Sequence, residues 1–175
     1  MAEQYRLATL SDAEELLYLT HRAYAPVREL GLPFPAATAS LEMVQDNIYK
    51  NAVYVAEDNS EMIATITIIY PWGPTHDSSG LPYLWWFAVE PERKKQGIGS
   101  RLLTWIEETI LRDTLKAPAV TLATSIYHPW LIPMYERRGY EKVKKVELEN
   151  DTVYFLRKVL NHELLKELTE KESVS

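Results

Sequence analysis

The sequence has no cysteine among its 175 residues, and this absence removes several kinds of chemistry. Disulfide bonds, thiolate metal sites and a cysteine nucleophile are all excluded. The first residues lack the charged-then-apolar pattern of a signal peptide, and no apolar run approaches the ~20 residues that a membrane-spanning helix needs. We therefore predict a soluble, cytoplasmic protein that makes no membrane contact and holds no metal.

Basic residues are also fewer than acidic ones. The chain carries 19 lysines and arginines against 25 acidic residues, which gives a formal net charge of -6. Affinity for nucleic acid comes from clustered cations that neutralise backbone phosphates. The overall charge therefore argues against a nucleic-acid partner, although one local basic cluster stands out below.

The hydrophobic pattern predicts one domain, residues 1–160, followed by a charged helix and disordered tail, 161–175. Strands are predicted at residues 4–9, 52–56, 62–70, 83–89, 119–123, 140–148 and 152–159. Helices are predicted from the Ser11–Asp12 cap to about residue 25, from a cap at Thr38 or Ser40 to residue 49, at 97–114 and at 129–137. Proline and glycine predict loops at 26–37 and 71–80. This order predicts an α/β (α+β) protein with a mixed sheet and helices on its faces.

The segment Lys94–Ser100 follows a predicted strand and opens a predicted helix. Gly97 and Gly99 let the backbone approach a ligand and adopt unusual dihedral angles. The start of a helix has unpaired N–H groups, and its dipole favours an anion. Since Arg93, Lys94 and Lys95 add positive charge here, the segment predicts a phosphate or pyrophosphate site. The competing interpretation is an ordinary glycine turn beside a solvated basic run.

Two nucleotide-binding motifs do not fit this segment. A P-loop needs Gly-Lys-Ser/Thr after its spacer, and the sequence supplies Gly99-Ser100-Arg101 instead. A dinucleotide-binding fingerprint needs a third small residue, but Leu102 stands at that position.

The segment resembles the acyl-CoA loop of the GNAT superfamily of N-acyltransferases. The family pattern is Arg/Gln-x-x-Gly-x-Gly/Ala after a strand that ends in Val-x-Pro, and this sequence has Val89-Glu90-Pro91 and then Lys94-x-x-Gly97-x-Gly99. Lysine keeps the charge of the usual arginine but loses its fork geometry, so the contact should change.

A second family motif stands downstream at a compatible spacing. The family pattern is Asn-x-x-Ala-x-x-x-Tyr-x-x-x-Gly-Phe. Tyr135, Gly139 and the aromatic Tyr140 match it, whereas His128 replaces Asn and Leu131 replaces Ala. The resemblance spans about residues 4–159. It implies a GNAT fold, with a mixed but mostly antiparallel sheet of about seven strands, splayed between its fourth and fifth strands.

The resemblance implies that the cofactor is acetyl-CoA. Backbone N–H groups of the glycine loop would hold its pyrophosphate, and main-chain groups of Phe87 and Val89 would pair with the pantetheine arm. An N–H near Ala88 would polarise the thioester carbonyl. The implied cofactor-binding residues are Phe87, Ala88, Val89, Lys94, Lys95, Gln96, Gly97, Ile98, Gly99, Ser100, His128, Trp130 and Tyr135. Tyr135 would also protonate the departing thiolate; the alternative is that it is a core aromatic.

The implied reaction is the direct attack of a primary amine on the thioester, and such an amine must lose a proton. The predicted central strands hold no acidic residue. The candidate bases are therefore Asp77 and His76 in the preceding loop, Glu90 after the strand, or a chain of water molecules. His128 matches the Asn of the family motif, so we assign it to the cofactor.

The acceptor site is expected between the first helices and the loops near the splay. Candidate substrate contacts are Tyr24, Arg28, Glu29, Phe34 and Trp72. Trp85 and Trp86 are adjacent on a strand, so they are expected to pack on opposite faces of the sheet. A small-molecule amine is the favoured acceptor. A protein or peptide acetyltransferase and a non-catalytic acyl-CoA sensor are the alternatives, and a homodimer is an expectation drawn from the family.

Overall fold

A computed structural model of the chain describes residues 3–76 and 79–174. It has a seven-stranded sheet in the order β1-β2-β3-β4-β5-β7-β6. The strands are β1 (Glu3–Leu7), β2 (Ala52–Asp58), β3 (Glu61–Ile69), β4 (Tyr83–Val89), β5 (Ala119–Ser125), β6 (Glu141–Leu148) and β7 (Asp151–Val159). All neighbouring pairs are antiparallel except β4 and β5, which are parallel. The predicted mixed sheet is confirmed.

The helices are α1 (Ala13–Ala23), α2 (Ala25–Glu29), α3 (Leu41–Lys50), α4 (Ile98–Trp105), α5 (Leu131–Arg137) and α6 (His162–Val174). Helix α4 continues as a π-helix over Ile106–Thr114. Of the two predicted caps for α3, Ser40 is used, and its hydroxyl accepts a hydrogen bond from the Met43 N–H. No helix in the described residues is long and apolar enough to cross a membrane.

The sheet separates two apolar cores. One core packs α4, its π-helical extension and α5 against the sheet, around residues such as Leu102, Ile106 and Leu156. The other packs α1 and α3 against β2 and β3, around Leu19 and Val55. Helices therefore cover both faces, as predicted.

Two predictions at the level of local structure are wrong. Residues 26–29 of the predicted loop 26–37 are helical and belong to α2 (Ala25–Glu29). Pro26 is the second residue of that helix, where proline is tolerated because its missing N–H would have had no partner in the first turn. At the C-terminus, α6 extends to Val174 instead of ending in the predicted tail.

Strand β4 contains a bulge that changes the direction of its side chains. Trp86 has a φ of +47°, and the register against β3 shifts between Thr65 and Thr67. The extra residue interrupts the alternation of faces. Trp85 and Trp86 therefore pack against the same core, with ring centroids 4.5 Å apart, so the prediction of opposite faces is wrong.

The parallel strands β4 and β5 touch only where they begin. Their one register pair is Tyr83 with Thr121, while β5 pairs with β7 along its whole length. Past that point β4 and β5 diverge, which confirms the predicted splay. The bulge and the opening of the splay thus lie next to each other on the second half of β4.

Candidate active site

The glycine loop joins the end of β4 to the start of α4. Gly97 caps the helix with a φ of +76°, a conformation that side chains with a Cβ rarely adopt. A Cβ on Gly99 would lie 3.0 Å from Val89 Cγ2 and 3.2 Å from Phe87 Cζ. Both glycines are therefore required by the backbone and its packing. The first N–H groups of α4 have no partner within the helix, so they can bind an anion.

The cations around this loop divide into two groups. Arg93 is held by Asp58 and Glu61, each at 2.9 Å, and Arg101 pairs with Glu3 and donates to the Gln96 carbonyl at 2.7 Å. Lys94 and Lys95 are exposed, and neither has an ion pair among the described residues. Of the predicted basic cluster, Lys94 and Lys95 are therefore available to bind a ligand. Arg93 instead makes ion pairs with Asp58 and Glu61.

The three residues after the bulge line the opening of the splay. Ala88 and Val89 pair with Thr65 and Ala64 of β3, which leaves the other edge of β4 facing the splay. The carbonyl of Phe87 accepts a 2.9 Å hydrogen bond from the Tyr24 hydroxyl. Tyr24 thus joins the end of α1 to the strand at the position where the predicted pantetheine contacts begin.

Tyr135 lies on α5 and is 8% exposed, with its ring 5.4 Å from that of Tyr140. Burial raises the pKa of Tyr135 above its ordinary value near 10, with Glu107 and Tyr83 adding to the effect and Arg138 opposing it. The side chain is therefore a protonated donor at neutral pH. Among the described residues no protein atom takes a hydrogen bond from its hydroxyl.

A line of aromatic side chains runs from α1 to the segment after β5. The ring centroids of Tyr24 and Phe34 are 6.4 Å apart, Phe34 lies nearly parallel to His128 at 6.4 Å, and Trp130 contacts His128 edge-on at 4.5 Å. Phe34 and His128 were predicted for the acceptor and the cofactor respectively. The structure brings these two predicted sites into contact.

Two buried polar atoms in this region lack partners among the described residues. They are Nδ1 of His128 and Oγ1 of Thr124, near the end of β5. Burial lowers the pKa of His128 below its usual value, so the imidazole is neutral at pH 7. Unpaired buried polar atoms are rare in proteins and indicate a missing partner.

The predicted bases have unequal surroundings. Glu90 is 6% exposed and receives hydrogen bonds from Arg22 at 2.5, 3.1 and 3.3 Å. Its oxygens are thus engaged in an ion pair that joins α1 to the end of β4. His76 is exposed, with Nδ1 2.7 Å from the Gly73 carbonyl oxygen, and Asp77 lies outside the described residues.

The predicted acceptor residues do not all lie together. Tyr24, Arg28, Glu29 and Phe34 belong to α1, α2 and the segment that follows; Arg28 and Glu29 are exposed, and Arg28 donates to the Ala37 carbonyl at 2.8 Å. Trp72 stacks on Tyr70 and lines a groove with Pro82 and Leu168. Because Pro82 precedes β4, this groove is at the opposite end of that strand from the glycine loop. The structure therefore separates Trp72 from the other candidates.

The sequence prediction missed a buried charge beside the site. Glu107 is 1% exposed and accepts hydrogen bonds from Tyr140 at 2.6 Å, Lys158 at 2.8 Å and Arg138 at 3.2 Å. Arg138 also reaches Ser100 at 2.9 Å, which connects this cluster to the glycine loop. The signal was present: Glu107 is four residues from Leu103 and from Leu111, on the apolar face of the predicted helix.

Comparison with known proteins agrees with this geometry. Residues 50–142 match the family described as the acetyltransferase (GNAT) domain. The chain is 52% identical to an S-(2-succino)cysteine N-acetyltransferase from Bacillus subtilis, over 94% of this chain and all of that protein. The chain belongs to the GNAT acetyltransferase family.

Two further relatives extend the comparison. An S-alkylcysteine N-acetyltransferase of Bacillus subtilis is 48% identical over 89% of this chain and 88% of its own length. The structure of a PaiA N-acetyltransferase from Thermoplasma acidophilum in complex with coenzyme A superposes with a TM-score of 0.66 at 16% identity, covering 91% of this chain and 99% of that one. This GNAT chain is an N-acetyltransferase whose acyl donor is acetyl-CoA.

The residues of this chain fit that donor. The glycine loop has N–H groups and two lysines without ion pairs that suit a pyrophosphate. The edge of β4 at Phe87 and Val89 faces the splay, where the Tyr24 hydroxyl already donates to the Phe87 carbonyl. Nδ1 of His128 and Oγ1 of Thr124 are buried and unpaired among the described residues, on β5 and the segment that follows it.

Proposed function

We propose that this GNAT enzyme acetylates the α-amino group of an S-substituted cysteine. The observation that carries the proposal is the 52% identity to an S-(2-succino)cysteine N-acetyltransferase along the full length of that protein. A second relative of nearly equal identity acts, by its name, on S-alkylcysteines. The part common to both acceptors is a small amino acid with a thioether side chain.

On the donor side, the N–H groups of Gln96, Gly97, Ile98, Gly99 and Ser100 bind the pyrophosphate, with Lys94 and Lys95 neutralising its charge. The edge of β4 at Phe87 and Val89 binds the pantetheine arm as an added strand. The N–H of Ala88 itself faces β3, so an N–H next to it on the splay side is the one directed to the reacting carbonyl. His128 and Trp130 flank the arm from the other side. Acetyl-CoA supplies an acetyl group activated as a thioester.

Tyr135 acts as the acid of the reaction in this proposal. Its pKa is raised by burial, so the phenol holds its proton across the working pH range. Its hydroxyl has no acceptor among the described protein atoms, which leaves the proton available to a departing thiolate.

Tyr24, Phe34, Arg28 and Glu29 form the acceptor side. The rings of Tyr24 and Phe34 offer apolar contact to a thioether substituent. Arg28 is exposed and has one nitrogen on the Ala37 carbonyl, so its remaining nitrogens can bind the α-carboxylate of an amino acid. Glu29 is the anionic group available to the ammonium form of the acceptor.

The test is a steady-state assay of the purified chain with acetyl-CoA and a matched acceptor panel. The panel holds S-methylcysteine, S-(2-succino)cysteine, S-methylcysteamine, spermidine and a peptide with a free N-terminus and lysine. We expect kcat/KM for one of the S-substituted cysteines to exceed that for spermidine and the peptide by at least about 10²-fold, since those acceptors lack the fitted groups.

Two results would contradict the proposal. Preferred turnover of the peptide would favour the protein-modifying alternative. Tight binding of coenzyme A with no turnover of any amine would favour the sensor alternative.

A further inference from the structure

The line of aromatic side chains from α1 to the end of β5 includes the imidazole of His128, whose Nδ1 has no hydrogen-bonding partner among the described residues. His128 is 6% exposed, and this nitrogen is buried. Its backbone N–H donates to the Ser125 carbonyl at 3.4 Å, in the turn that follows β5. Unpaired buried polar atoms are rare in proteins, so this ring is a candidate for a role that the packing alone does not explain.

The position of His128 points to the acceptor as well as to the cofactor. Phe34, from the acceptor side, covers one face of the imidazole at a centroid distance of 6.4 Å. Phe34 in turn contacts Tyr24, which is bound to the Phe87 carbonyl in the splay. The imidazole therefore lies between the splay, which is proposed to hold the pantetheine arm, and the proposed acceptor residues.

We infer that His128 is the catalytic base, and that its imidazole accepts the proton of the acceptor amine. This inference rests on the proposed function, because the acceptor is taken to be an amine. His128 was predicted as a cofactor contact, and two of the predicted bases are less suitable. The oxygens of Glu90 are held by Arg22, and His76 is exposed and bound to the Gly73 carbonyl.

The protonation state of His128 agrees with this role. Burial is the sole cause of its lowered pKa, so no charged neighbour holds the ring in the cationic form. The Asp151 carboxylate near this turn accepts a 2.6 Å hydrogen bond from the Ser125 hydroxyl. A neutral imidazole can accept a proton at pH 7, where an α-amine with a pKa of about 8 is mostly protonated.

The proton balance is complete with two side chains. The reacting form is the neutral amine, whose ammonium proton has already gone to solvent. Its nitrogen lone pair forms the new C–N bond, and the electrons of the C–S bond leave with sulfur. One proton of the attacking amine then moves to the His128 imidazole, and the phenol proton of Tyr135 moves to the thiolate. Exchange with solvent then returns the imidazolium and the phenolate to neutral groups, and the net products are the amide and the thiol.

The test compares His128→Asn with the wild type. Asparagine is the usual residue at this position of the family motif, so it keeps a hydrogen-bonding side chain for the cofactor but cannot take a proton. We expect kcat/KM to fall by about 10²-fold, in line with loss of a general base. Binding of coenzyme A, measured by calorimetry, should change by less than about threefold. His162→Asn, an exposed histidine at the start of α6, is the matched control and should retain full activity.

Two more measurements separate catalysis from packing. The wild-type kcat/KM should fall as the pH drops through the pKa of the imidazole. This fall at acidic pH should be absent in His128→Asn. The pKa of His128, measured by NMR and assigned with the variant, should lie below the usual value of about 6.5.

Four outcomes would overturn the inference. They are full activity of His128→Asn, an unchanged acidic limb in that variant, a loss confined to coenzyme A binding, and activity abolished by His76→Asn instead. If the wild type acetylates no amine, the proposed function fails, while an acidic fall in kcat/KM whose midpoint differs from the NMR pKa of His128 would by itself exclude His128 as the base.

Discussion

The Tyr24 hydroxyl donates a 2.9 Å hydrogen bond to the carbonyl oxygen of Phe87, one residue past the bulge of β4. This bond fixes the end of α1 against the strand that lines the splay. Burial raises the pKa of Tyr24, with Tyr135 adding to the effect, so the donor stays protonated. Tyr24 therefore links the proposed acceptor residues at the end of α1 to the strand edge that lines the splay.

The variant Tyr24→Phe should loosen this connection without removing apolar surface. A lost hydrogen bond of this kind costs about 0.5–1.5 kcal/mol. For a chain of this size the melting temperature should fall by roughly 2–4 °C per kcal/mol. We expect KM for the acceptor to rise while KM for acetyl-CoA changes little. An unchanged melting temperature together with an unchanged acceptor KM would contradict this role.

The variant Gly97→Ala tests the glycine loop. Gly97 and Gly80 have similar φ angles of +76° and +71°, so alanine strains the backbone at either position. Such strain costs on the order of 1–2 kcal/mol, and both variants should therefore lose similar stability. Gly80 precedes β4 at the far end of the strand, so only Gly97→Ala should weaken coenzyme A binding, by at least about tenfold. Equal affinities in calorimetry would exclude the loop as the pyrophosphate site.

The variant Tyr135→Phe tests the proposed acid. Loss of a proton donor should lower kcat by about 10²-fold, with little change in the affinity for coenzyme A. Because the pKa of Tyr135 is raised above 10, its phenol stays protonated at lower pH. The ratio of wild-type to variant kcat should therefore stay constant from pH 6 to about pH 9. A fully active variant would make Tyr135 a core aromatic only. A ratio that falls toward one within this range would mean that the phenol loses its proton below pH 9, and would contradict the raised pKa.

The variant Arg28→Met tests recognition of the acceptor carboxylate. It keeps an apolar stem and removes the guanidinium. A hydrogen bond to a charged group contributes about 1.5–3 kcal/mol, so KM for S-methylcysteine should rise at least about tenfold. S-methylcysteamine lacks the carboxylate, and its KM should not change. An equal rise for both amines would limit Arg28 to its structural bond with the Ala37 carbonyl.

Much of the fold and the donor half of the site could be predicted from local sequence. The strand that ends at Val89, the glycines at 97 and 99 and the helix that follows are consecutive, so their spacing carries the motif. The splay was implied by family resemblance. In the structure β4 and β5 pair at a single position, Tyr83 with Thr121, and diverge beyond it. Hydrophobic periodicity does not encode where two strands stop pairing.

The acceptor half could not be predicted to the same extent, because it depends on long-range contacts. Trp72 was grouped with Tyr24 by its composition and loop context, but the topology puts it at the other end of β4. The bulge at Trp86 puts both tryptophans against the same core, because its extra residue interrupts the alternation of faces along the strand. The contact between Phe34 and His128 joins residues 94 positions apart, and no local pattern reports it.

The variant Glu107→Gln tests the buried charge behind the site. The carboxylate of Glu107 accepts from Lys158, Arg138 and Tyr140, and its side chain is 2% exposed. Removing one partner of a buried ion pair costs about 3–5 kcal/mol because the remaining charge is left uncompensated. At roughly 2–4 °C per kcal/mol, the melting temperature should fall on the order of 10 °C.

The matched control for this variant is Glu108→Gln, the next residue on the same helix, whose side chain is exposed. A surface substitution of this kind should stay within about 0.5 kcal/mol. Since Arg138 also reaches Ser100, Glu107→Gln should weaken coenzyme A binding in addition to stability, whereas Glu108→Gln should affect neither. Equal melting temperatures for the two variants would mean that the cations around Glu107 find other partners, and that the cluster does not support the glycine loop.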